Sequence, residues 1–479
     1  MNGVYKNKQR NLVYILIMAY GLCTKLQQAI IGGKLVCVTA FILNKEKAVQ
    51  RFIQQQCQPA KQTTAMSIKP YALLLLPVLL FSSCLKDKCT QTYTIFNPVY
   101  KTKQEVYAAI KSMPAKAITN PGKITLFGSY VFLNEINQGI HVIDNSNPSQ
   151  PRNLSFIEMP GNIDLAVKGN RLYADLYSDL ITLDITNPQQ IGLVKVSTNI
   201  FPHRIYANGF VADTNRFIVD WARKDTVVEI SCNNNMSFPW FARTDAMLFS
   251  SFSPASTNTA TTGINGSMAR FALKNDYLYT VSNSDLNVFG LQNPDAPQQL
   301  QTVSVGWGIE TIYPFNNQLF IGSNTGMFIY SIQNPAVPTR TGSFAHALAC
   351  DPVIADDTHA YVTLRSGTDC RAVINQLDVI DVRNLQSPIL VKTYALTNPH
   401  GLSKDGNLLF VCDGKDGLKI YDASSPSNLK LVKHFAGFEA YDVIARNNNA
   451  LVVTKTALLQ FDYSNANNIQ QRSSIAIQK

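Results

Sequence analysis

The stretch His141-Val-Ile-Asp-Asn-Ser-Asn-Pro148 is a short apolar strand that ends in a polar turn closed by proline. The chain repeats it 40 residues later as Ile181-Thr-Leu-Asp-Ile-Thr-Asn-Pro188. Further copies, some without the aspartate or the proline, are Asn287–Pro294, Phe328–Pro335, Val379–Pro388, Lys419–Pro426, a degenerate Gln460–Asp462 and a weaker Val227–Ile230. Self-similarity at this period indicates a repeat architecture in which each repeat is one supersecondary unit.

Each repeat contains four short runs of β-forming residues. In residues 164–196 the runs are DLAV, RLYADL, LITLDI and IGLVKV, and turn-forming residues separate them. Four strands in about 40 residues is the size of a propeller blade. The aspartate before each turn can accept hydrogen bonds from turn amides, which gives it a structural role. One helix is predicted, from Lys103 to Ser112, with Thr102 and Glu105 as its capping box.

A single blade cannot bury both faces of its sheet, so the repeats must pack side by side and close into a ring. We therefore expect an all-β fold, a β-propeller of four-stranded blades over residues 121–479, with an Asn/Ser/Thr-rich insertion at 231–267. The prediction is eight blades, with seven as the alternative. The eight units begin near Lys123, Asp164, Arg204, Arg270, Glu310, Asp351, His400 and Asp442.

Residues 66–83 have the plan of a secretory signal peptide, with Lys69, an apolar run and small residues before Cys84. The end of this segment resembles a lipobox, which makes Cys84 the predicted site of lipid attachment, although Phe81 is larger than the residue usual there. An uncleaved apolar anchor is the alternative. Residues 84–120 are predicted to be a linker that contains the short helix.

Residues 1–65 do not have the organisation of an export signal. We interpret them as a mis-called leader, with Met66 as the start of the protein. A membrane-inserting prefix is the alternative. Residues 1–65 carry nine Lys and Arg but only one acidic residue, Glu46, and so account for most of the net charge of +10. After Cys84 there are 32 basic and 31 acidic residues. This balance gives no electrostatic reason to expect a nucleic-acid partner.

These repeats resemble the LVIVD repeat, which is named for a strand like His141–Asp144. The segments that carry the resemblance are Gly139–Pro148, Pro160–Asp164, Asn398–Leu402 and Cys412–Leu418. The resemblance covers roughly residues 84–479. It implies a propeller outside the cytoplasm but no established reaction.

The residues that begin the eight units are all ionisable: Lys123, Asp164, Arg204, Arg270, Glu310, Asp351, His400 and Asp442. The first strand of each blade lines the channel of a propeller, so these side chains are expected around one mouth. One interpretation is structural, with acids and bases neutralising each other. The other is a site for a small ligand or a cation such as calcium, with Asp164, Asp351 and Asp442 as oxygen donors. The mixture of signs favours the structural interpretation.

The sequence has no phosphate-binding loop, zinc motif or nucleophile elbow, and we assign no catalytic residue, resident metal or cofactor. Asp405-Gly-Asn407 and Asp413–Gly417 look like calcium loops, but they lack the spaced carboxylates and the terminal Glu of such loops. We interpret both as hairpin turns. Cys412 lies within an apolar strand and is expected to be a buried, inert thiol.

These features together predict a monomeric lipoprotein of the cell envelope, attached to the outer membrane, that acts as a binding scaffold for protein or glycan. The insertion at 231–267 offers Phe238, Trp240 and Phe241 as contacts, or else forms a flap over the ring face. The alternative function is a propeller hydrolase or lactonase with a metal at the channel mouth. The third function considered is that of a sensory or assembly partner in an envelope complex.

Cys350 and Cys370 flank the strands of one unit and are predicted to form a disulfide in an oxidising compartment. If they are joined, alkylation without reductant leaves both unmodified, as read from the protein's mass. Two alkylated thiols at these positions would contradict the prediction.

Overall fold

The computed structural model describes residues 29–31, 34–36, 88–202, 214–231, 262–346, 349, 352–366 and 374–478. The chain divides into two compact units, Met1–Lys86 and Asp87–Lys479. In the first unit, β1 (Ala29–Ile31) pairs antiparallel with β2 (Lys34–Val36). Cys84, Cys350, Cys370, the predicted signal segment 66–83 and the aromatic residues 238, 240 and 241 lie outside the described residues. No helix in the described ranges has the length and apolar character needed to cross a membrane.

Two elements precede the propeller of the second unit. Strand β3 (Lys88–Thr102) leads directly into helix α1 (Lys103–Ala108). Thr102 and Glu105 form the predicted capping box, which is confirmed. The helix ends earlier than predicted because Lys111–Pro114 forms strand β4, which pairs with the outer edge of the first blade.

Seven four-stranded blades follow, each an antiparallel sheet with its strands in chain order. Blade 1 comprises β5 (Pro121–Phe127), β6 (Tyr130–Glu135), β7 (Gly139–Asp144) and β8 (Arg152–Glu158). Blade 2 comprises β9 (Leu165–Lys168), β10 (Arg171–Leu176), β11 (Asp179–Asp184) and β12 (Gly192–Ser197). Between blades 2 and 3 lie β13 (Arg216–Ser231) and β14 (Ile264–Asn265). Blade 3 comprises β15 (Phe271–Lys274), β16 (Tyr277–Val281), β17 (Asp285–Gly290) and β18 (Gln298–Ser304).

The remaining blades have the same order of strands. Blade 4 comprises β19 (Ile309–Phe315), β20 (Gln318–Ser323), β21 (Gly326–Ser331) and β22 (Thr339–Ala345). Blade 5 comprises β23 (Val353–Ala355), β24 (His359–Leu364), β25 (Gln376–Asp381) and β26 (Ile389–Ala395). Blade 6 comprises β27 (Leu402–Asp405), β28 (Leu408–Cys412), β29 (Leu418–Asp422) and β30 (Lys430–Phe435). Blade 7 comprises β31 (Ala440–Arg446), β32 (Asn449–Thr454), β33 (Ala457–Asp462) and β34 (Gln470–Ala476).

The prediction of eight blades is wrong, because the unit that was expected to begin near Arg204 is not a blade. Its described strand, β13, pairs with β3 along its whole length and forms a two-stranded ribbon. Val227–Ile230, taken as a weak copy of the repeat, belongs to this ribbon. The alternative of seven blades is the correct one.

Successive residues of the inner strands enter different cores, which explains why these strands are almost continuously apolar. Phe132 of β6 packs in a cluster shared by blades 1 and 2. Its neighbours Val131 and Leu133 point the other way, into a cluster with Ile444 and Leu451 of blade 7. Because side chains alternate across a strand, each blade contributes one apolar face to each neighbouring blade.

The ring closes between the last blade and the segment before the first. Ile118 forms a parallel bridge with Ile477, and the amide of Gln478 donates to the carbonyl of Ile118 at 2.7 Å. Ile118 and Ile477 are both buried in the cluster shared by blades 7 and 1. The two ends of the propeller are therefore joined by backbone hydrogen bonding and by a common core.

The predicted role of the turn aspartates is confirmed: each accepts a hydrogen bond from the amide two residues later, as Asp144 does from Ser146. The others that do so are Asp184, Asp381, Asp422 and Asp462. The prolines of the turns have a second role, because their carbonyls accept hydrogen bonds from the preceding blade. The donors are Tyr173 to Pro294, Tyr279 to Pro335, Tyr394 to Pro426 and Ser473 to Pro148.

The base of the ribbon is fixed to the hairpin between β10 and β11 of blade 2. Lys103 and the hydroxyl of Tyr107, both on α1, donate to the buried carboxylate of Asp179. Phe217, near the start of β13, stacks on Tyr177 with 4.6 Å between ring centroids. These contacts attach one end of the ribbon firmly to the propeller.

Closure of the ring predicts that a truncation at its seam lowers stability. Ile477→Ala removes buried apolar volume from the shared core and is expected to lower the free energy of unfolding by about 2 kcal/mol, measured by urea denaturation. Gln478→Ala is the matched control, since its side chain is exposed and its backbone bond to Ile118 is retained. Equal stability of the Ile477 variant and the control would contradict closure at this seam.

Candidate functional site

Six of the eight predicted ring residues lie in the described part of the chain; Arg204 and Asp351 lie outside it. The six lie within two residues of the start of the first strand in six blades. The structure brings Lys123 and Asp164 into direct contact and places Asp442 within electrostatic range of both. Arg270 adjoins the same group through its backbone.

Lys123 and Asp164 form a buried ion pair between blades 1 and 2. Lys123 Nζ donates to Asp164 Oδ2 at 2.9 Å, and the two residues are 3% and 1% exposed. The same Oδ2 accepts the amide of Arg270 at 2.5 Å, and Oδ1 accepts the amide of Leu165. Burial lowers the pKa of Lys123, and the charge of Asp164 opposes that change. Because both oxygens of Asp164 accept hydrogen bonds and one faces an ammonium group, this carboxylate is poorly suited to a cation.

Asp442 is buried on β31 and is only partly satisfied. Its Oδ1 accepts the amide of Val443 at 2.9 Å, whereas Oδ2 has no hydrogen-bond partner among the described residues. Burial raises the pKa of Asp442 well above its usual value. The side chain is therefore neutral over a wider pH range than that of an exposed aspartate.

His400 lies before β27 with its ring buried against the edge of Tyr441, 5.3 Å between centroids. Neither ring nitrogen has a hydrogen-bond partner in the described residues. Burial, with a contribution from the charge of Arg365, lowers the pKa of His400 well below its usual value. The imidazole is thus neutral, and within the described ranges no carboxylate is hydrogen-bonded to it that could orient it as a base. Glu310, the sixth residue, is half-buried on β19.

The segment Thr262–Arg270 crosses the middle of the ring, and we call it the plug. Its strand β14 pairs with β5 of blade 1, and Thr262 bridges to Lys168 of blade 2. On the other side, Ser267 Oγ accepts the amide of Leu402 in blade 6 at 2.8 Å. The carbonyl of Ala269 accepts the amide of Ile312 in blade 4. The plug therefore ties together first strands on both sides of the channel.

Sequence reasoning missed a second set of buried carboxylates, at the ends of second strands. Glu135 in blade 1 accepts the amides of Thr119 and Asn120 and lies 3.0 Å from His141 Nε2. Burial alone would raise the pKa of Glu135, but these hydrogen bonds hold the pKa below its usual value. The carboxylate secures the segment that enters the blade, so its role is structural.

Blades 2 and 6 repeat this arrangement. Asp175 accepts the amides of Ile163 and Asp164, each at 2.8 Å. Asp413 accepts the amides of Thr397 and Asn398 and the Nζ of Lys419. The signal available in the sequence was an acidic residue at the same point of three repeats, just before the turn to the third strand.

The two calcium-like segments are hairpin turns, as predicted. Asp405-Gly-Asn407 joins β27 to β28, and Asp413–Gly417 joins β28 to β29. Lys419 Nζ lies 2.6 Å from carboxylate oxygens of both Asp413 and Asp416, so an ammonium group already occupies the position between them. In the described ranges no three His, Cys, Asp or Glu side chains cluster as metal ligands would. Cys412 is a buried free thiol, also as predicted, and burial raises its pKa.

Comparison with known families confirms the resemblance to LVIVD repeats. The LVIVD repeat model matches residues 120–157, 162–198, 372–396 and 401–436. These stretches correspond to blade 1, blade 2, the outer part of blade 5 and blade 6. The three blades matched over all four strands are those with the buried carboxylates Glu135, Asp175 and Asp413. No curated protein matches the chain.

Several solved structures are similar. They include BamB from Moraxella catarrhalis, with 9% identity, 75% of this chain and 97% of that one covered, and a TM-score of 0.41. Hsv2 from Kluyveromyces lactis has 11% identity, coverage of 75% and 98%, and a TM-score of 0.40. The dihydro-heme d1 dehydrogenase NirN, in complex with DHE, has 12% identity, coverage of 91% and 85%, and a TM-score of 0.44. Similarity at these levels identifies no ligand or activity for this chain.

The raised pKa of Asp442 predicts a pH-dependent penalty on stability. A carboxyl group whose pKa is raised on folding stabilises the protein while it is protonated, and this contribution is lost as the pH rises through the folded-state pKa. Asp442→Asn is therefore expected to raise the thermal midpoint at neutral pH, by an amount that shrinks as the pH falls towards 3.8, the ordinary aspartate pKa.

Thermal unfolding followed by circular dichroism between pH 4 and 8 measures this difference. The exposed Asp357 supplies the control variant, Asp357→Asn, for which no such pH-dependent gain is expected. A Asp442→Asn protein that is less stable than the parent at neutral pH would show that the carboxylate is needed in its charged form.

Proposed function

We propose that this propeller with LVIVD repeats is a lipid-anchored binding scaffold of the bacterial envelope, which presents its surface to protein or glycan ligands. Lipid attached at Cys84 fixes the chain to the outer membrane. The protein acts as a monomer, binds no nucleic acid and catalyses no reaction. The observation that carries the proposal is the ribbon of β3 and β13.

The ribbon supports this proposal because it can act as an arm. It has 15 residues on the β3 strand, which corresponds to about 50 Å at the rise of an extended strand. Its base, at Thr102 and Arg216, is the end attached to blade 2, so Lys88 and Ser231 form the far end. Only three residues separate Cys84 from Lys88 in the sequence. A lipid at Cys84 would therefore join the chain at the end of the ribbon that is remote from its base.

The ribbon has features that suit a free-standing strand pair. Thr94 Oγ1 donates across the ribbon to Asp225, which also accepts from Arg223. Pro98 lacks an amide hydrogen, and the charged residues from Arg223 to Asp225 interrupt the other edge. Proline and charge at sheet edges oppose pairing with further strands. This composition favours an arm over a site that captures another strand.

The chemistry of the ring also favours a scaffold over a hydrolase. Asp164 is saturated by Lys123 and two backbone amides, and the plug occupies the space between opposite first strands. A metal-dependent hydrolase needs carboxylates that are open to a cation and to substrate. Of the described groups near the plug, Lys123 and Asp164 satisfy each other, and burial favours the neutral forms of Asp442 and His400.

The proposal is tested with the full chain expressed in a bacterium that processes lipoproteins. Mass spectrometry is expected to find a mature N-terminus at Cys84 carrying acyl chains, and Cys84→Ser is expected to abolish acylation and membrane attachment. In a supported bilayer, neutron reflectometry is expected to find the propeller held away from the membrane surface. Deleting Thr90–Tyr93 together with their partners Thr226–Glu229 shortens both strands in register and should lower the propeller by up to about 13 Å.

Val227→Thr is the length-preserving control, for which no change of height is expected. An unacylated chain would overturn the lipid anchor. An acylated chain whose propeller stays at the same height after the paired deletion would overturn the role of the ribbon as an arm. Metal that co-purifies with the protein and is lost on Asp164→Asn would favour the hydrolase instead.

A further inference from the structure

The loop between blades 3 and 4 displays an indole ring to solvent. Trp307 is 76% exposed, the largest exposure among the exposed large apolar side chains of the described residues. It lies between Gly306 and Gly308, both of which have positive φ angles, of 144° and 74°. Glycine adopts such angles without the steric cost that a side chain imposes. The two glycines allow the chain to turn sharply enough to point Trp307 outwards.

The backbone of this loop is fixed even though the ring is exposed. The amides of Val305 and Gly306 donate to the carbonyl of Ser284 at 2.9 and 3.2 Å. The amide of Ile309 donates to the carbonyl of Asn283, and the carbonyl of Gly308 accepts the amide of Asn324 at 2.9 Å. The loop is thus held by the β16–β17 hairpin on one side and the β20–β21 hairpin on the other. A ring displayed from a rigid loop loses little entropy when it binds.

Two asparagines lie on the hairpins that flank the loop of Trp307. Asn283 and Asn324 are half-buried, and in the described residues their side-chain amides make no hydrogen bond. A Cβ at Gly308 would come within 2.4 Å of the Asn324 amide, which places that amide against the loop. The nearby carboxylate of Asp285 is already engaged by the hydroxyl of Ser284 at 2.6 Å. Arg340 also lies near the loop, because it stacks on Phe328, whose ring is 3.8 Å from a Cβ placed at Gly306. Among the described residues, the surface near Trp307 therefore offers one aromatic face and unpaired amides beside charges of both signs.

We propose that Trp307, Asn283 and Asn324 form a binding platform for a neutral glycan. The C–H bonds on one face of a pyranose ring carry weakly positive hydrogens, which are attracted to the negative face of an aromatic ring. The sugar hydroxyls can both donate to and accept from side-chain amides, so two asparagines beside the indole match them. The inference rests on the proposed binding role and specifies its ligand class.

The test uses the full chain and a panel of uncharged oligosaccharides of four to six residues, built from glucose, mannose, galactose or N-acetylglucosamine. Isothermal titration is expected to find at least one that binds. Trp307→Ala should weaken that binding at least tenfold, as truncation of an aromatic hot spot does. Trp307→Phe should retain part of the affinity because it keeps an aromatic face, and Asn324→Ala should weaken binding by a smaller factor.

Trp221→Ala is the matched control, because it removes another tryptophan, on the ribbon, and should leave binding unchanged. Unchanged circular dichroism of each variant excludes unfolding as the cause. Absence of binding to every member of the panel, or binding that survives Trp307→Ala, would overturn the glycan platform. If Trp307→Ala abolishes binding to a protein while no glycan binds, the glycan platform is also overturned. Acylation at Cys84 and the height of the propeller test the scaffold separately, so the two proposals can fail independently.

Discussion

The need of each blade to cover two apolar faces is the constraint on which the rest of this structure depends. A four-stranded sheet whose inner strands are apolar on both sides is stable only between two neighbours, and seven such sheets satisfy one another only as a closed ring. The seam is made by Ile118 and Ile477, which share a core and a backbone bridge. Without that seam, one face each of blades 1 and 7 would be exposed to water.

The same constraint explains the polar residues of the repeat. The turn aspartates satisfy amides where the third strands of five blades end. The carbonyls of four turn prolines accept hydrogen bonds from the blade before them. The buried carboxylates Glu135, Asp175 and Asp413 hold the entering segments of blades 1, 2 and 6. Polar groups thus set the spacing of the blades, and apolar side chains fill the space between them.

The sequence allowed the blade architecture to be predicted because its signals are local. Alternating apolar runs and Asn-Pro turns are visible within each repeat, and the group formed by Lys123, Asp164 and Asp442 followed from their common position in the first strands. The number of blades was missed for a physical reason. β13 has the composition of a blade strand, yet its partner β3 lies more than a hundred residues earlier, and local patterns carry no information on such pairing.

Side-chain pairing in the ring also could not be predicted from a pattern of residue types. Only the three-dimensional arrangement shows that Asp164 accepts from Lys123, that Asp442 Oδ2 has no partner among the described residues, and that burial lowers the pKa of His400. The plug could not be predicted either, because Thr262–Arg270 has no repeat signature and is held by partners from several blades. Neither the exposure of Trp307 nor the support of its loop on two hairpins could be read from the sequence.

Closure of the ring is tested most directly by amide hydrogen exchange at the C-terminus. The amide of Ile477 donates to the carbonyl of Thr456, and that of Gln478 to the carbonyl of Ile118. If the seam is closed, the Gln478 amide exchanges as slowly as the amides of the inner strands, because it must await opening of the ring. The Ile477 amide, which is bonded within blade 7, reports on fraying of that blade alone. If the Gln478 amide exchanges as fast as a frayed terminus while the inner strands stay protected, the closed seven-bladed propeller is contradicted.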